Sequence, residues 1–180
     1  MHVLVIYATI EGQTRKIARN IAGTVQSAGH DVTVYDAMDL EDVDLDLGDA
    51  VIVTAPVHAG SYPAPLLHWV SENKSKLSAL PSVFVSVSLS AASPFPEEMR
   101  EVERITAEAL EHAEWKPHAV HQAAGALRFT KYDYLKRLLM RHIAKKEGKK
   151  ADTSKDHEFT DWDELNAFVL AFLKERTQKS

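Results

Sequence analysis

The strongest constraint on this chain is an alternation of two hydrophobic periods that runs from its first residues to its last. His2–Tyr7 is a short, β-branched apolar run, and Gln13–Ala28 follows with Ile17, Ile21 and Val25 on one helical face. Gly29 stands where a helix end wants a left-handed residue. Asp31–Tyr35 reads as the next strand, and Asp49–Ala55 as another, apolar on both faces as a central parallel strand must be. Pro63–Leu80 predicts a helix with Pro near its start, Ser82–Ser88 a strand, and Pro96–Trp115 a long charged helix. Ala119–Leu127 predicts the last central strand. Thr160-Asp161-Trp162 then caps a closing helix with Trp162, Leu165, Val169 and Phe172 on one side. Strands alternating with helices predict an α/β, doubly wound parallel sheet. No repeat, low-complexity segment or linker breaks the rhythm, so the expectation is one domain over residues 1–176 with a tail at 177–180.

The 180 residues include no cysteine, which removes disulfides, thiolate-held zinc, Cys-ligated iron–sulfur clusters and a thiol nucleophile. Redox chemistry would therefore need a bound organic cofactor or a metal on N and O ligands. The nine histidines do not cluster: His118 and His121 fall on opposite faces of a strand, and the others are scattered, so no metal is expected. A G-x-S-x-G elbow is also missing, which leaves Ser-His-Asp hydrolysis without support. The N-terminal run has neither the basic region nor the cleavage site of a signal peptide, and no stretch approaches the roughly 18 apolar residues of a membrane span. The expected location is the cytoplasm, with peripheral contact with the membrane left open.

Net charge is −5, but the average conceals two regions. Residues 128–150 hold nine of the 21 Lys and Arg and two of the 26 acids, a net of +7; the remainder carries 12 basic and 24 acidic residues, a net of −12. Within this segment Leu135, Leu138, Leu139 and His142/Ile143 fall at helical spacing, which predicts a basic helical insert before the last helix. A packed apolar stripe with solvated charges accounts for it. A basic surface touching anionic lipid or an acidic substrate accounts for it equally. As an average over the chain, the net charge of −5 argues against wholesale nucleic-acid binding.

The turn after the first strand, Thr9-Ile10-Glu11-Gly12-Gln13-Thr14, opens directly into a helix. Hydroxyls and a glycine between a strand end and a helix N-terminus form an anion site, because backbone N–H groups point outward and the helix dipole favours negative charge. There is no Walker lysine and no G-x-G-x-x-G pattern, so a nucleoside triphosphate or a Rossmann dinucleotide fits poorly. A cradle of hydroxyls and N–H groups without a cation suits a lone phosphate monoester, as on FMN.

This loop resembles that of the flavodoxin-like family, T-x-T-G-x-T, with Glu11 where ordinary flavodoxins usually carry a hydroxyl. It resembles more closely the subgroup of menaquinone-dependent protoporphyrinogen oxidases (dehydrogenases), whose loop reads T-x-[DE]-G-Q-T. Pro81-Ser82 with Ser86-Val87 and Leu89, Trp115 with Pro117, Ala124-Gly125-Ala126-Leu127-Arg128-Phe129, Asp152-Thr153 and Thr160-Asp161-Trp162 resemble the same subgroup, in register over essentially the whole chain. The resemblance implies a five-stranded sheet of order 2-1-3-4-5, FMN as cofactor, and FMN-dependent oxidation of protoporphyrinogen IX to protoporphyrin IX with a quinone, menaquinone first, as acceptor. It places this activity in haem biosynthesis. A flavodoxin-type electron carrier and a general FMN-dependent quinone reductase are the alternatives.

In a doubly wound sheet the ligand lies beyond the carboxyl ends of the strands, at the switch point. Two further loops reach that edge. In Pro56-Val57-His58-Ala59-Gly60-Ser61-Tyr62, Gly60 permits close backbone approach, and Tyr62 or His58 is placed to stack on or border an isoalloxazine; an ordinary loop with Tyr62 packed at the helix start is the alternative. In Ser86-Val87-Ser88-Leu89-Ser90-Ala91, small residues and hydroxyls offer N–H and OH groups to the ring and ribityl chain. Many flavodoxins place a Tyr in this region to cover the ring and none occurs here, so the resemblance implies one flavin face open to a bulky planar substrate. Thr9 to Thr14 are thus expected at the phosphate, and the two loops at the ring. Arg128, with Lys131, Lys136, Arg137 and Arg141, is expected to meet substrate propionates or an anionic membrane. A homo-oligomer is one option for the assembly.

Overall fold

The computed structural model describes residues 1–37, 43–127 and 157–177. Chain order is β1 (His2–Tyr7), α1 (Gln13–Ser27), β2 (Asp31–Asp36), β3 (Ala50–Pro56), α2 (Ala64–Glu72), α3 (Lys74–Ala79) and β4 (Ser82–Ser88). It continues with α4 (Pro96–His112), β5 (Ala119–Ala124), β6 (Ala126–Leu127), β7 (His157–Glu158) and α5 (Trp162–Thr177). The first five strands form one all-parallel sheet in the order β2-β1-β3-β4-β5, as expected. β1 and β3 lie between neighbours and are apolar at almost every position, since parallel strands covered by helices on both faces have no wet side.

The strand period of two sends alternate residues to opposite faces. Val3, Val5, Ala50, Ile52, Val83 and Val85 meet α1 and α5 through Ile17, Ile21, Val25, Leu165 and Val169. Leu4, Ile6, Val51, Val53 and Phe84 meet the other helical layer through Tyr62, Leu66, Trp69, Val70 and Trp115. Each fully buried aliphatic side chain contributes about 1.5–3 kcal/mol over its exposed state.

Local chemistry sets the helix limits. Pro96 starts α4 with Glu97 and Glu98 in its first turn, where the dipole favours acids. The Asp161 carboxylate accepts the Glu164 N–H at 2.9 Å and caps α5. The helix expected over 63–80 divides at Asn73, whose Nδ2 donates to the Trp69 carbonyl at 2.9 Å and competes with the helical ladder.

The strand expected over 119–127 also differs. β5 ends at Ala124 and is an edge strand, not a central one, with Val120 40% exposed. Gly125 N–H donates to the Ser88 carbonyl, and the chain then leaves the sheet as β6. β6 pairs antiparallel with β7 in a separate two-stranded ribbon, Ala126 opposite Glu158 and Leu127 opposite His157. The expected basic helical insert lies outside the described residues. Among the described residues no helix is long and apolar enough to cross a membrane.

Candidate functional site

Three loops meet at the carboxyl edge of β1, β3 and β4, which are neighbours in the sheet. At the end of β1, Ala8 N–H donates to the Thr54 carbonyl of β3 at 3.0 Å, so the strand is held up to the residue before the loop. The Thr9 hydroxyl then accepts the Gly12 N–H at 2.9 Å and closes the turn. Gly12 caps α1 at φ 93°, a left-handed conformation that costs side-chain-bearing residues energy. Lys16 N–H returns to the Gly12 carbonyl at 3.2 Å and starts the helical ladder. The N–H groups of Gln13, Thr14 and Arg15 precede any carbonyl that α1 offers them, which makes them donors for a ligand. Ile10 is 52% exposed and Glu11 is exposed, whereas Thr14 is buried. Donor hydroxyls, outward N–H groups and a helix dipole fit a phosphate monoester.

The loop is expected to be a cradle without a cation, yet two cations lie in the first turn of α1, each matched by a carboxylate. Arg15 Nη2 sits 3.3 Å from Asp36 Oδ2 at the end of β2, and its Nε donates to the Tyr7 hydroxyl at 3.1 Å. The Tyr7 hydroxyl in turn donates to Asp36 at 2.8 Å, and burial together with that carboxylate pushes the phenol above its ordinary range. On the other side, Lys16 Nζ lies 2.8 and 2.7 Å from the two oxygens of Glu158 and 5.3 Å from the centre of the Trp162 ring. Gln13 Nε2 donates to Glu158 at 2.7 Å and to the Thr160 hydroxyl at 3.0 Å, while Thr160 donates to the Ala124 carbonyl at 2.7 Å. Burial acts to raise the Glu158 carboxyl, but Lys16 and Gln13 outweigh it and hold it below the ordinary carboxylate value.

The second loop leaves β3 with the Val57 N–H on the Val87 carbonyl at 2.8 Å. His58 and Ser61 exchange backbone bonds of 2.8 and 3.1 Å, with Ala59 at φ 49° and Gly60 at φ 77° between them. Two consecutive positive φ values make a tight hairpin-type turn. It presents His58, Ala59 and Gly60 to solvent, with Pro56 and Val57 half-buried beneath.

Tyr62 does not take the position expected at a flavin ring. It is 4% exposed, its hydroxyl donates to Ser86 Oγ at 2.7 Å and shares a 2.7 Å bond with Thr106 Oγ1, and its ring meets Phe84 edge-on at 5.2 Å. Burial pushes its phenol above the ordinary range. The Ser86 and Val87 side chains are likewise internal, at 0% and 4% exposure. A tyrosine loses most by burial when its hydroxyl is unpaired, so two hydroxyl partners fix it inside. In the third loop, Ser88 Oγ accepts the Ala91 N–H at 3.1 Å, and Leu89, Ser90 and Ala91 lie half-buried along the edge.

Thr9 to Thr14, Pro56 to Gly60 and Ser88 to Ala91 therefore lie on one edge. Arg128, Lys131, Lys136, Arg137 and Arg141 lie outside the described residues. Sequence reasoning missed Lys16, Glu158 and Thr160. Thr160 offered a cap signal only, and nothing local links residue 158 to a helix that begins at 13. Beside the third loop, a cleft of about 350 Å³ is lined by Ala91, Gln122, Ala124, Thr160 and Glu164 among others.

The sheet order, together with a glycine-closed anion loop at the switch point, defines the class of flavodoxin-fold proteins. Residues 4–154 match the Flavodoxin domain family. Among curated proteins the chain is similar to protoporphyrinogen IX dehydrogenase [quinone] of Escherichia coli strain K12, at 29% identity over 94% of this chain and 93% of the relative. It is similar also to the Leishmania major protein of the same name, at 30% identity over 94% of this chain and 73% of the relative. Among solved structures, oxidised Flavodoxin 2 from Bacillus cereus matches its fold with a TM-score of 0.60 at 17% identity, covering 97% of this chain and 99% of that one. The chain belongs to the Flavodoxin domain family, in the branch that contains the protoporphyrinogen IX dehydrogenase [quinone] relatives.

Proposed function

We propose that this protein is an FMN-dependent protoporphyrinogen IX dehydrogenase that passes the electrons to a quinone, menaquinone first. The observation that carries the reading is the 29–30% identity to proteins of that name over 94% of the chain. The anion loop and the two neighbouring loops supply a site consistent with it.

FMN, when bound, supplies a two-electron acceptor that the side chains of this protein cannot provide. The residues do the holding. The hydroxyl-closed turn at Thr9 and the N–H groups of Gln13 and Thr14 hold the phosphate, with Ile10, Glu11 and Gly12 forming its outer wall. Pro56, Val57, His58, Ala59 and Gly60 on one side, and Ser88, Leu89, Ser90 and Ala91 on the other, border the ring. Tyr62, Ser86 and Val87 support this rim from inside the core. Arg128, Lys131, Lys136, Arg137 and Arg141 bind the carboxylates of the porphyrinogen or an anionic membrane face, through guanidinium and ammonium pairing with oxygen.

The decisive experiment is an anaerobic mixture of the flavin-loaded protein, protoporphyrinogen and a menaquinone analogue, followed by porphyrin fluorescence. Protein-dependent porphyrin formation that requires the quinone is expected. No increase over autoxidation would replace this reading with that of an electron carrier. Reversing the charges of Lys136, Arg137 and Arg141 is expected to weaken binding to anionic liposomes, and high salt to do the same.

A further inference from the structure

The two cations in the first turn of α1 are both neutralised, but by carboxylates of different standing. Asp36 ends a strand of the main sheet and belongs to the body of the fold. Glu158 belongs to the short ribbon β6–β7, outside the sheet. Its carboxylate takes two donors from α1, the Gln13 amide at 2.7 Å and the Lys16 ammonium at 2.7 and 2.8 Å. Gln13 and Lys16 are three residues apart and share a helix face. Helical side chains lean toward the N-terminus, so the Lys16 ammonium is carried back to the level of the first turn. Its sharing of one carboxylate with the Gln13 amide places it there. That level is where the unpartnered N–H groups of the loop receive a phosphate.

We propose that Glu158 is a built-in competitor of the cofactor's phosphate group, holding the Gln13 amide and the Lys16 ammonium that a phosphate seated on the loop would otherwise draw. This rests on the FMN reading above and adds a specificity-determining residue to it. With Glu158 in place, Lys16 adds no net positive charge at the mouth of the loop, and the phosphate is held mainly by N–H and hydroxyl donors. With the carboxylate removed, Lys16 adds a full positive charge, while the Gln13 amide keeps its bond to the Thr160 hydroxyl. Because Glu158 sits on the ribbon, seating of the phosphate and docking of residues 157–161 oppose one another, and linkage makes the opposition reciprocal.

The test compares FMN with riboflavin, which lacks the phosphate, by quenching of flavin fluorescence on titration with the full-length apoprotein. Glu158→Gln keeps the shape and removes the charge; the side chain is 32% exposed, so the fold tolerates the change. Affinity for FMN is expected to rise about three- to five-fold, the scale of one solvent-screened charge pair, with riboflavin unchanged. The gain should shrink at high salt. Lys16→Met should weaken FMN binding more in the E158Q background than in the wild type, because only there is Lys16 released to the phosphate. An unchanged or lowered ratio of FMN to riboflavin affinity in E158Q overturns the proposal, as does an equal cost of K16M in both backgrounds. Loss of porphyrinogen turnover with FMN binding intact would sink the activity and leave this result standing. A wild-type protein that binds no FMN sinks both.

Discussion

The two faces of the sheet are built from different materials. The face under α1 and α5 is mainly aliphatic, with Val3, Val5, Ile17, Ile21, Ile52, Leu165 and Val169 in one cluster that also takes in Tyr7 and Phe172. The face under α2, α3 and α4 buries Tyr62, Trp69, Phe84 and Trp115, and threads polar contacts among them. Phe84 meets Tyr62 edge-on at 5.2 Å and Trp115 at 5.9 Å, while the Tyr62 hydroxyl reaches Ser86 and Thr106. Trp115 Nε1 donates to Ser82 Oγ, and Gln122 Nε2 to Thr106 Oγ1. An aliphatic layer resists deformation through shape alone. An aromatic layer with hydroxyl partners adds direction, since each partner must be found in one orientation. The aliphatic face carries the helix that follows the anion loop, and the aromatic face anchors the end of the second loop through Tyr62.

That contrast can be broken in four ways. Phe84→Ala removes the ring at the centre of the aromatic face and should cost about 3–5 kcal/mol in urea unfolding. A loss below ~1.5 kcal/mol would mean the rings pack as loosely as isolated side chains. Tyr62→Phe keeps the ring and deletes the hydroxyl, leaving Ser86 and Thr106 to re-pair; about 1–3 kcal/mol of stability should be lost with FMN affinity unchanged. A large fall in FMN affinity at unaltered stability would return Tyr62 to the ring. On the opposite face, Gly12→Ala puts a Cβ on a left-handed residue, with a cost of about 1–2 kcal/mol and weaker binding of FMN than of riboflavin. Equal losses for the two flavins would detach Gly12 from the phosphate.

The smallest effect concerns His121, which stacks on Phe168 at 5.0 Å. Burial holds its imidazole below the ordinary value, against the opposing pull of Glu164 and Asp161. The unfolded chain therefore binds the proton more readily, and stability rises with pH between the depressed and the ordinary imidazole values. The contribution is complete above the ordinary value near 6.5 and is lost as pH falls below it. His121→Gln should flatten that part of the stability profile. A slope that survives the substitution belongs to another group.

Much of this architecture was legible because its signals are local. The apolar runs of β1, β3 and β4, Gly29 at a helix end, and Thr9, Gly12 and Thr14 between strand and helix each act over a few residues. What was illegible depends on distant partners. Tyr62 sits in a loop beside a glycine, and only Ser86 and Thr106, far along the chain, decide that it turns inward. Asn73 broke an apolar period that otherwise ran on, through one side-chain bond to Trp69. The strand expected over 119–127 runs past the end of β5 because Ala123–Leu127 stays small and apolar across Gly125, where the chain changes sheet. Glu158 carries no local signal, yet it neutralises a lysine at the other end of the chain.

The ribbon β6–β7 carries one more consequence. Leu127 and His157 face each other across it, so the segment between them leaves and re-enters the body at a single point. Phe159 N–H on the Gly125 carbonyl and Thr160 on the Ala124 carbonyl fasten the returning strand just below. A segment whose ends already touch imposes no span on the rest of the molecule, and its closure entropy grows only slowly with length. The junction is thus a socket. A two-residue Asn-Gly turn joining Leu127 to His157 should leave the five-stranded sheet folded, and segments of other lengths grafted there should be carried equally well.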